Sequence, residues 1–82
     1  MLINRNPETE KHETPAESNL SEREVEILKL LVEGFDYREA ADKLFLSPHT
    51  VRKHIANIYA KLHVCSRVQA VKLAMKKKWF SF

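Results

Sequence analysis

From Leu20 onward, apolar side chains recur at helical spacing in four groups separated by short polar breaks. The first group, Val25, Ile27, Leu28, Leu30, Leu31 and Val32, covers a wide arc, as expected of a helix gripped on more than one side. Ser21 and Glu24 stand before it at capping-box spacing, where hydroxyl and carboxylate each satisfy a backbone amide the helix leaves free. Order is therefore expected to begin at Leu20, with a helix to about Glu33 and the chain's one glycine, Gly34, at the left-handed position beyond its end. Asp36 and Glu39 repeat the capping spacing and start a short helix, Tyr37 to Leu44, in which Ala40 and Ala41 allow close helix approach. Only Phe45 and Leu46 separate it from Ser47-Pro48, an N-cap followed by a first-turn proline. The third helix then runs to about Leu62, roughly 22 Å at 1.5 Å per residue. Val64-Cys65-Ser66 makes another break, and a fourth helix covers about Arg67 to Lys78, with Trp79, Phe80 and Phe82 available to pack back onto the domain.

Residues 1–19 differ: they are polar, carry Pro7 and Pro15, and show no apolar periodicity. Such a stretch buries too little surface to offset the entropy of ordering, so it is expected to be a disordered tail or linker. Residues 20–82 are then the domain, close to the lower size limit for an unaided fold. The expected class is all-α, a four-helix arrangement with short connections. Composition agrees, since one Gly and three Pro supply few of the tight turns a small sandwich or barrel needs. Cys65 is the single cysteine, so no intramolecular disulfide staples the fold. No apolar run approaches the roughly 18 residues of a membrane span, and the opening MLINRNPETEKHE has no signal-peptide core. The expectation is a cytoplasmic protein.

Charge changes the picture more than composition does. The net value is only +3, but it is unevenly placed. Residues 20–42 hold Arg23, Lys29 and Arg38 against seven carboxylates, whereas Lys43, Arg52, Lys53, Lys61, Arg67, Lys72, Lys76, Lys77 and Lys78 follow Asp42 without one acidic side chain among them. A half so basic suits a polyanion. At 100° per residue, Val51, Ile55, Ile58 and Leu62 form one stripe of the third helix, which is expected to be buried. Lys53 lies opposite, flanked by His49, Ala56, Asn57 and Ala60, with Thr50 and Lys61 along one border and Arg52 along the other. A lipid-binding helix would need large apolar groups on its free face, so membrane is the weaker partner. A major groove admits one helix, and Arg, Lys, Asn and Thr reach base edges and phosphates while alanines let the backbone come close. A short helix, a two-residue break and a longer basic helix match a helix-turn-helix.

The segments LSEREVEIL, LVEG, EAADKL, LSPHTVRKHIAN, KLHV and RVQA, in unbroken order from Leu20 to about Trp79, closely resemble the LuxR-type helix-turn-helix domain of NarL/FixJ response regulators and the spore regulator GerE. The resemblance implies a four-helix, sequence-specific double-stranded-DNA-binding domain of a bacterial transcription regulator. Its third helix would enter the major groove, its fourth would pair with a second copy, and RNA polymerase would be a further partner. By position, Arg52, Lys53 and Ala56 match the base-facing sites. Arg38, Thr50, Asn57 and Lys61 match phosphate-facing sites, and His49 and Tyr37 are assigned to the same set. Two departures stand out: Ala56 replaces a frequent lysine, and Tyr37 and Ala40 replace the usual asparagine and isoleucine, so that a phenol is offered to a phosphate. The implied dimer surface is Val68, Val71 and Met75.

Other chemistries find little support. His49 and His54 diverge by about 140° on a helix and Cys65 has no companion thiol, so neither metal nor cofactor is expected, nor a small-molecule ligand. His54 is expected to be a hydrogen-bonded structural residue. Glu24 and Arg67, at the starts of the first and fourth helices, are expected to form an ion pair. No nucleophile, base and orienting group share a face, which argues against an enzyme. The fourth helix has two apolar strips, Val68, Val71, Met75 and Trp79 on one side and Ala70, Leu73 and Ala74 on the other. One can serve the core and the other a partner; with both covered, the chain would be a monomer. A protein-interaction adaptor and a sigma-factor region 4 module are the competing classes. An adaptor has no need for Thr50, Arg52, Lys53 and Asn57 on one small-residue face, and region 4 has a longer spacer between its first two helices.

Overall fold

A computed structural model describes residues 18–80. The expected tail, apart from Ser18 and Asn19, lies outside the described residues, as does Phe82. Four helices follow in order: α1 (Glu22–Val32), α2 (Tyr37–Leu44), α3 (Pro48–Leu62) and α4 (Arg67–Lys76). The described residues contain no strand.

Both capping boxes form. Ser21 Oγ accepts from the Glu24 amide and Glu24 Oε1 accepts from the Ser21 amide at 2.9 Å. Asp36 and Glu39 exchange the same two bonds at the start of α2. Ser47 caps α3 ahead of Pro48, and Ser66 caps α4 through the Gln69 amide. Each box satisfies two donors that a helix start leaves open, so local sequence fixes where each helix begins.

The ends share one geometry. After each helix a single residue turns left-handed: Gly34, Phe45, His63 and Lys78, with φ of 104°, 59°, 58° and 57°. At each, the next amide reaches five residues back: Phe35 to Leu30, Leu46 to Ala41, Val64 to Tyr59 and Trp79 to Ala74, at 2.9 to 3.1 Å. This is the Schellman closure, and it tightens all three connections between helices to a few residues. Helix α4 accordingly ends at Lys76, and Lys78 is already in the turn that returns Trp79 to the core.

Helix α1 is the hub and packs on each of the other three. Ile27, Leu28, Val51 and Ile58 are its and α3's fully buried side chains, surrounded by Leu20, Leu31, Leu62 and Trp79. Four alanines, Ala40, Ala41, Ala70 and Ala74, are sealed from solvent and bring α2 and α4 close to their neighbours. Truncating any of the four large side chains to Ala removes both transfer energy and packing, a loss of about 2 to 5 kcal/mol. That is a large fraction of the stability open to so small a domain. The buried sides therefore hold α3 in one rotational setting, and its other side is left to solvent.

Candidate nucleic-acid interface

The stripe expected inside α3 is inside at Val51, Ile58 and Leu62, while Ile55 is half-buried at its edge. The opposite side presents His49, Arg52, Lys53, Ala56, Asn57, Ala60 and Lys61 to solvent. Ser47 Oγ accepts from the Thr50 amide at 3.1 Å and donates to Thr50 Oγ1 at 2.9 Å. Lys53 makes no ion pair or hydrogen bond to the described residues, and the same holds for the side chains of His49 and Asn57.

Arg52 and Lys61 sit at opposite ends of this face and are held differently. The Arg52 guanidinium lies 5.6 Å over the centre of the Tyr37 ring, and the Arg38 guanidinium is also 5.6 Å from that centre. Tyr37 opens α2, so the start of α2 and the first half of α3 meet at one aromatic ring. Beside it runs an open groove of about 360 Å³ lined by Leu31, Asp36, Tyr37, Arg52, Ile55 and Tyr59 among others. Burial raises the Tyr59 phenol above its ordinary 10.0, against the opposing charge of Arg67, so the phenol stays protonated at neutral pH.

Lys61 turns toward the protein. Its ammonium is 2.8 Å from Glu24 Oε1 and donates to the Asn19 carbonyl at 3.1 Å. Glu24 is 4% exposed, the single buried charged residue among those described. Burial pushes its carboxyl upward, but the Lys61 ammonium and the Ser21 amide outweigh this and hold it below its ordinary 4.5. Glu24 thus does two jobs: it closes the cap of α1 and anchors α3 to it.

The expected Glu24–Arg67 pair does not form. Arg67 Nη2 instead donates to the Leu31 carbonyl at 3.0 Å. The reason is axial position: Leu31 is seven residues beyond Glu24 along α1, roughly 10 Å at 1.5 Å per residue. The start of α4 lies at the C-terminal end of α1, where a cation satisfies carbonyls at the negative end of the helix. His54 is half-buried, and its ring makes no hydrogen bond with the described residues, so the structural bond expected there is not found. The described residues hold no group of His, Cys, Asp and Glu that could bind a metal. No described helix is long and apolar enough to cross a membrane.

On α4 the two strips separate as pattern suggests: Ala70 and Ala74 are buried, whereas Val68 and Met75 are 62% and 50% exposed. Val71 is half-buried beside Val68 in a shallow groove against the end of α1. Trp79 departs from its strip by folding into the core through the turn at Lys78.

Residues 18–74 match the family described as bacterial regulatory proteins, luxR family. The chain belongs to the luxR family. Helix α2, the turn at Phe45 and helix α3 are therefore the helix-turn-helix of a LuxR-type DNA-binding domain, a module of transcription regulation and not of an enzyme class. Among similar curated proteins, the oxygen regulatory protein NreC of Staphylococcus carnosus (strain TM300) is 44% identical over 63 residues, covering 77% of this chain and 29% of NreC. NreC of Staphylococcus aureus (strain JH9) matches to the same extent. A crystal structure of the response regulator ChrA, described as part of a heme-sensing two component system, superposes with a TM-score of 0.70 at 43% identity. That match covers 74% of this chain and 30% of ChrA. The chain thus spans under a third of the length of the relatives it resembles.

Proposed function

We propose that this LuxR-type domain binds a two-fold DNA site as a homodimer, with the exposed side of α3 in the major groove. Arg52 and Lys53 read base edges, and Ala56, lacking a long side chain, lets the helix approach the base pairs closely. Arg38, His49, Thr50 and Asn57 contact phosphates, with Lys61 contributing a phosphate contact at the far border. The observation that carries this reading is the two-sidedness of α3: Val51, Ile58 and Leu62 are spent in the core, and Arg52, Lys53, Ala56 and Asn57 share the free side.

Two copies meet through Val68, Val71 and Met75 of α4. The exposure of Val68 and Met75, which the fold of one copy leaves uncovered, supports this pairing. A two-fold axis there would set the two α3 helices about 34 Å apart, one turn of DNA. RNA polymerase is the further partner of such a regulator once it sits on its site.

Duplexes selected by the chain from a random pool test the whole arrangement. The expected result is two inverted half-sites with centres about 10 base pairs apart, bound with an affinity that falls steeply with salt. Recovery of single, unpaired half-sites would remove the dimer, and recovery of random sequence would remove base reading.

A further inference from the structure

The ring of Tyr37 lies where two cations with different proposed tasks converge. Arg38, beside it in α2, faces phosphate; Arg52, fifteen residues on in α3, faces bases. Both guanidinium groups are within the range of a cation–π contact, at 5.6 Å from the ring centre. Arg52 is exposed and makes no hydrogen bond or ion pair with the described residues, so the ring is what restrains it. An aromatic face does this in a way a carboxylate cannot. A carboxylate would occupy the guanidinium fork, whereas a ring holds the cation through its π-system and leaves the five N–H donors for a base edge.

We propose that Tyr37 is a positioning residue for DNA reading: its ring, and not its phenol, presets Arg52 toward the bases and couples it to the phosphate-facing Arg38. This rests on the assignment of Arg52 to base contact. The physical gain is entropic. An unrestrained arginine gives up much of its rotamer freedom when it binds, and a side chain already resting on a ring gives up less. The half-buried setting of Tyr37 at the first position of α2 supplies the needed rigidity, because the Asp36–Glu39 capping box fixes the backbone there. A phenol reaching to a phosphate is the rival role, and it needs the hydroxyl that the platform does not.

The test uses the full 82-residue chain with Tyr37→Phe, Tyr37→Leu, Arg52→Ala and the Tyr37→Leu/Arg52→Ala pair, titrated onto a selected duplex and onto random DNA. Tyr37→Phe is expected to bind both as the parent does. Tyr37→Leu is expected to lose about two- to fivefold on the selected duplex and nothing on random DNA. In the double variant the Leu substitution should add no loss beyond that of Arg52→Ala. In the free protein, 15N relaxation at the Arg52 side-chain nitrogen should show greater mobility in Tyr37→Leu and no change in Tyr37→Phe. Equal losses for Phe and Leu on both duplexes would overturn the proposal in favour of a phosphate contact. Independent losses in the double variant, or an Arg52 side chain no more mobile in Tyr37→Leu, would also overturn it. If Arg52→Ala itself loses equally on both duplexes, the base-contact assignment fails. The relaxation result still reports in that case whether the ring holds Arg52.

Discussion

The two ends of α3 carry cations of equal formal charge and different use. At the N-terminal end Arg52 rests on an aromatic ring and Lys53 stands free in solvent. At the C-terminal end Lys61 is drawn back to a buried carboxylate and a backbone carbonyl. Charge counted along the sequence treats these residues alike, and only their partners distinguish them. A cation over a ring or in water keeps its donors for an incoming ligand, whereas one that neutralises a buried carboxylate has already committed two of its three. The same nine basic residues that make this half of the chain attractive to DNA therefore include at least one whose first task is to hold the fold together.

Removing Lys61 should break this contrast most sharply. Lys61→Met leaves the Glu24 carboxylate buried without its cation, and unfolding by urea is expected to show a loss of about 2 to 3 kcal/mol. The open side of Lys61 keeps the cost below that of a fully sealed pair. On DNA the same variant should weaken selected and random duplexes alike and lower the salt slope by about one. An unchanged urea midpoint would show that the ion pair contributes nothing.

Acid probes the same anchor without mutation. The folded state holds the Glu24 carboxyl below 4.5, so folding favours its ionised form. The resulting stability is complete above that ordinary value and fades as pH falls through the lower folded one. Thermal melts taken downward from pH 7 should therefore show a steeper acid loss for the parent than for Glu24→Gln. Parallel curves would remove Glu24 as the source.

Lys53→Ala is the counterpart at the other end. It touches no described partner, so its urea midpoint should stay within about 0.5 kcal/mol of the parent. Affinity for the selected duplex should fall by about 1 to 2 kcal/mol and by less on random DNA, since an ammonium is a point donor and not a bidentate fork. Equal losses on both duplexes would move Lys53 from base reading to the phosphate set.

Much of this was legible in residue order because the signals are local. Ser21 with Glu24, Asp36 with Glu39 and Ser47 with Pro48 each place a helix start within a few bonds of themselves, and all three stand as read. The stripe of α3 follows from its period alone, apart from Ile55, which packs against the edge of the core and is left half-buried beside a groove. What eluded the sequence were pairings across long separations. Lys61 with Glu24 and Arg67 with Leu31 depend on how far one helix slides along another, a quantity that spacing within a helix does not contain. The Arg52–Tyr37 contact is of the same kind, since it needs both the helix crossing and a rotamer.

The helix ends show a subtler limit, and they yield the smallest prediction. A glycine announces a left-handed residue, so Gly34 was readable; Phe45, His63 and Lys78 adopt nearly the same turn with side chains that announce nothing. These three are held there by the closure bonds after them, against a steric cost of about 1 to 2 kcal/mol per residue. Phe45 is 95% exposed, so its ring offsets little of that cost by burial. Phe45→Gly should relieve the strain and lose part of the gain to the greater freedom of an unfolded glycine, a net stabilisation of about 0.5 to 1 kcal/mol. Gly34→Ala runs the experiment backwards. No atom lies within 4 Å of where its Cβ would be, so its expected loss of about 1 kcal/mol is conformational and not a clash. Opposite signs for the two variants in urea would show that the four closures share one energetic logic. A loss at Phe45 would instead mean that the greater freedom of an unfolded glycine outweighs the strain relieved.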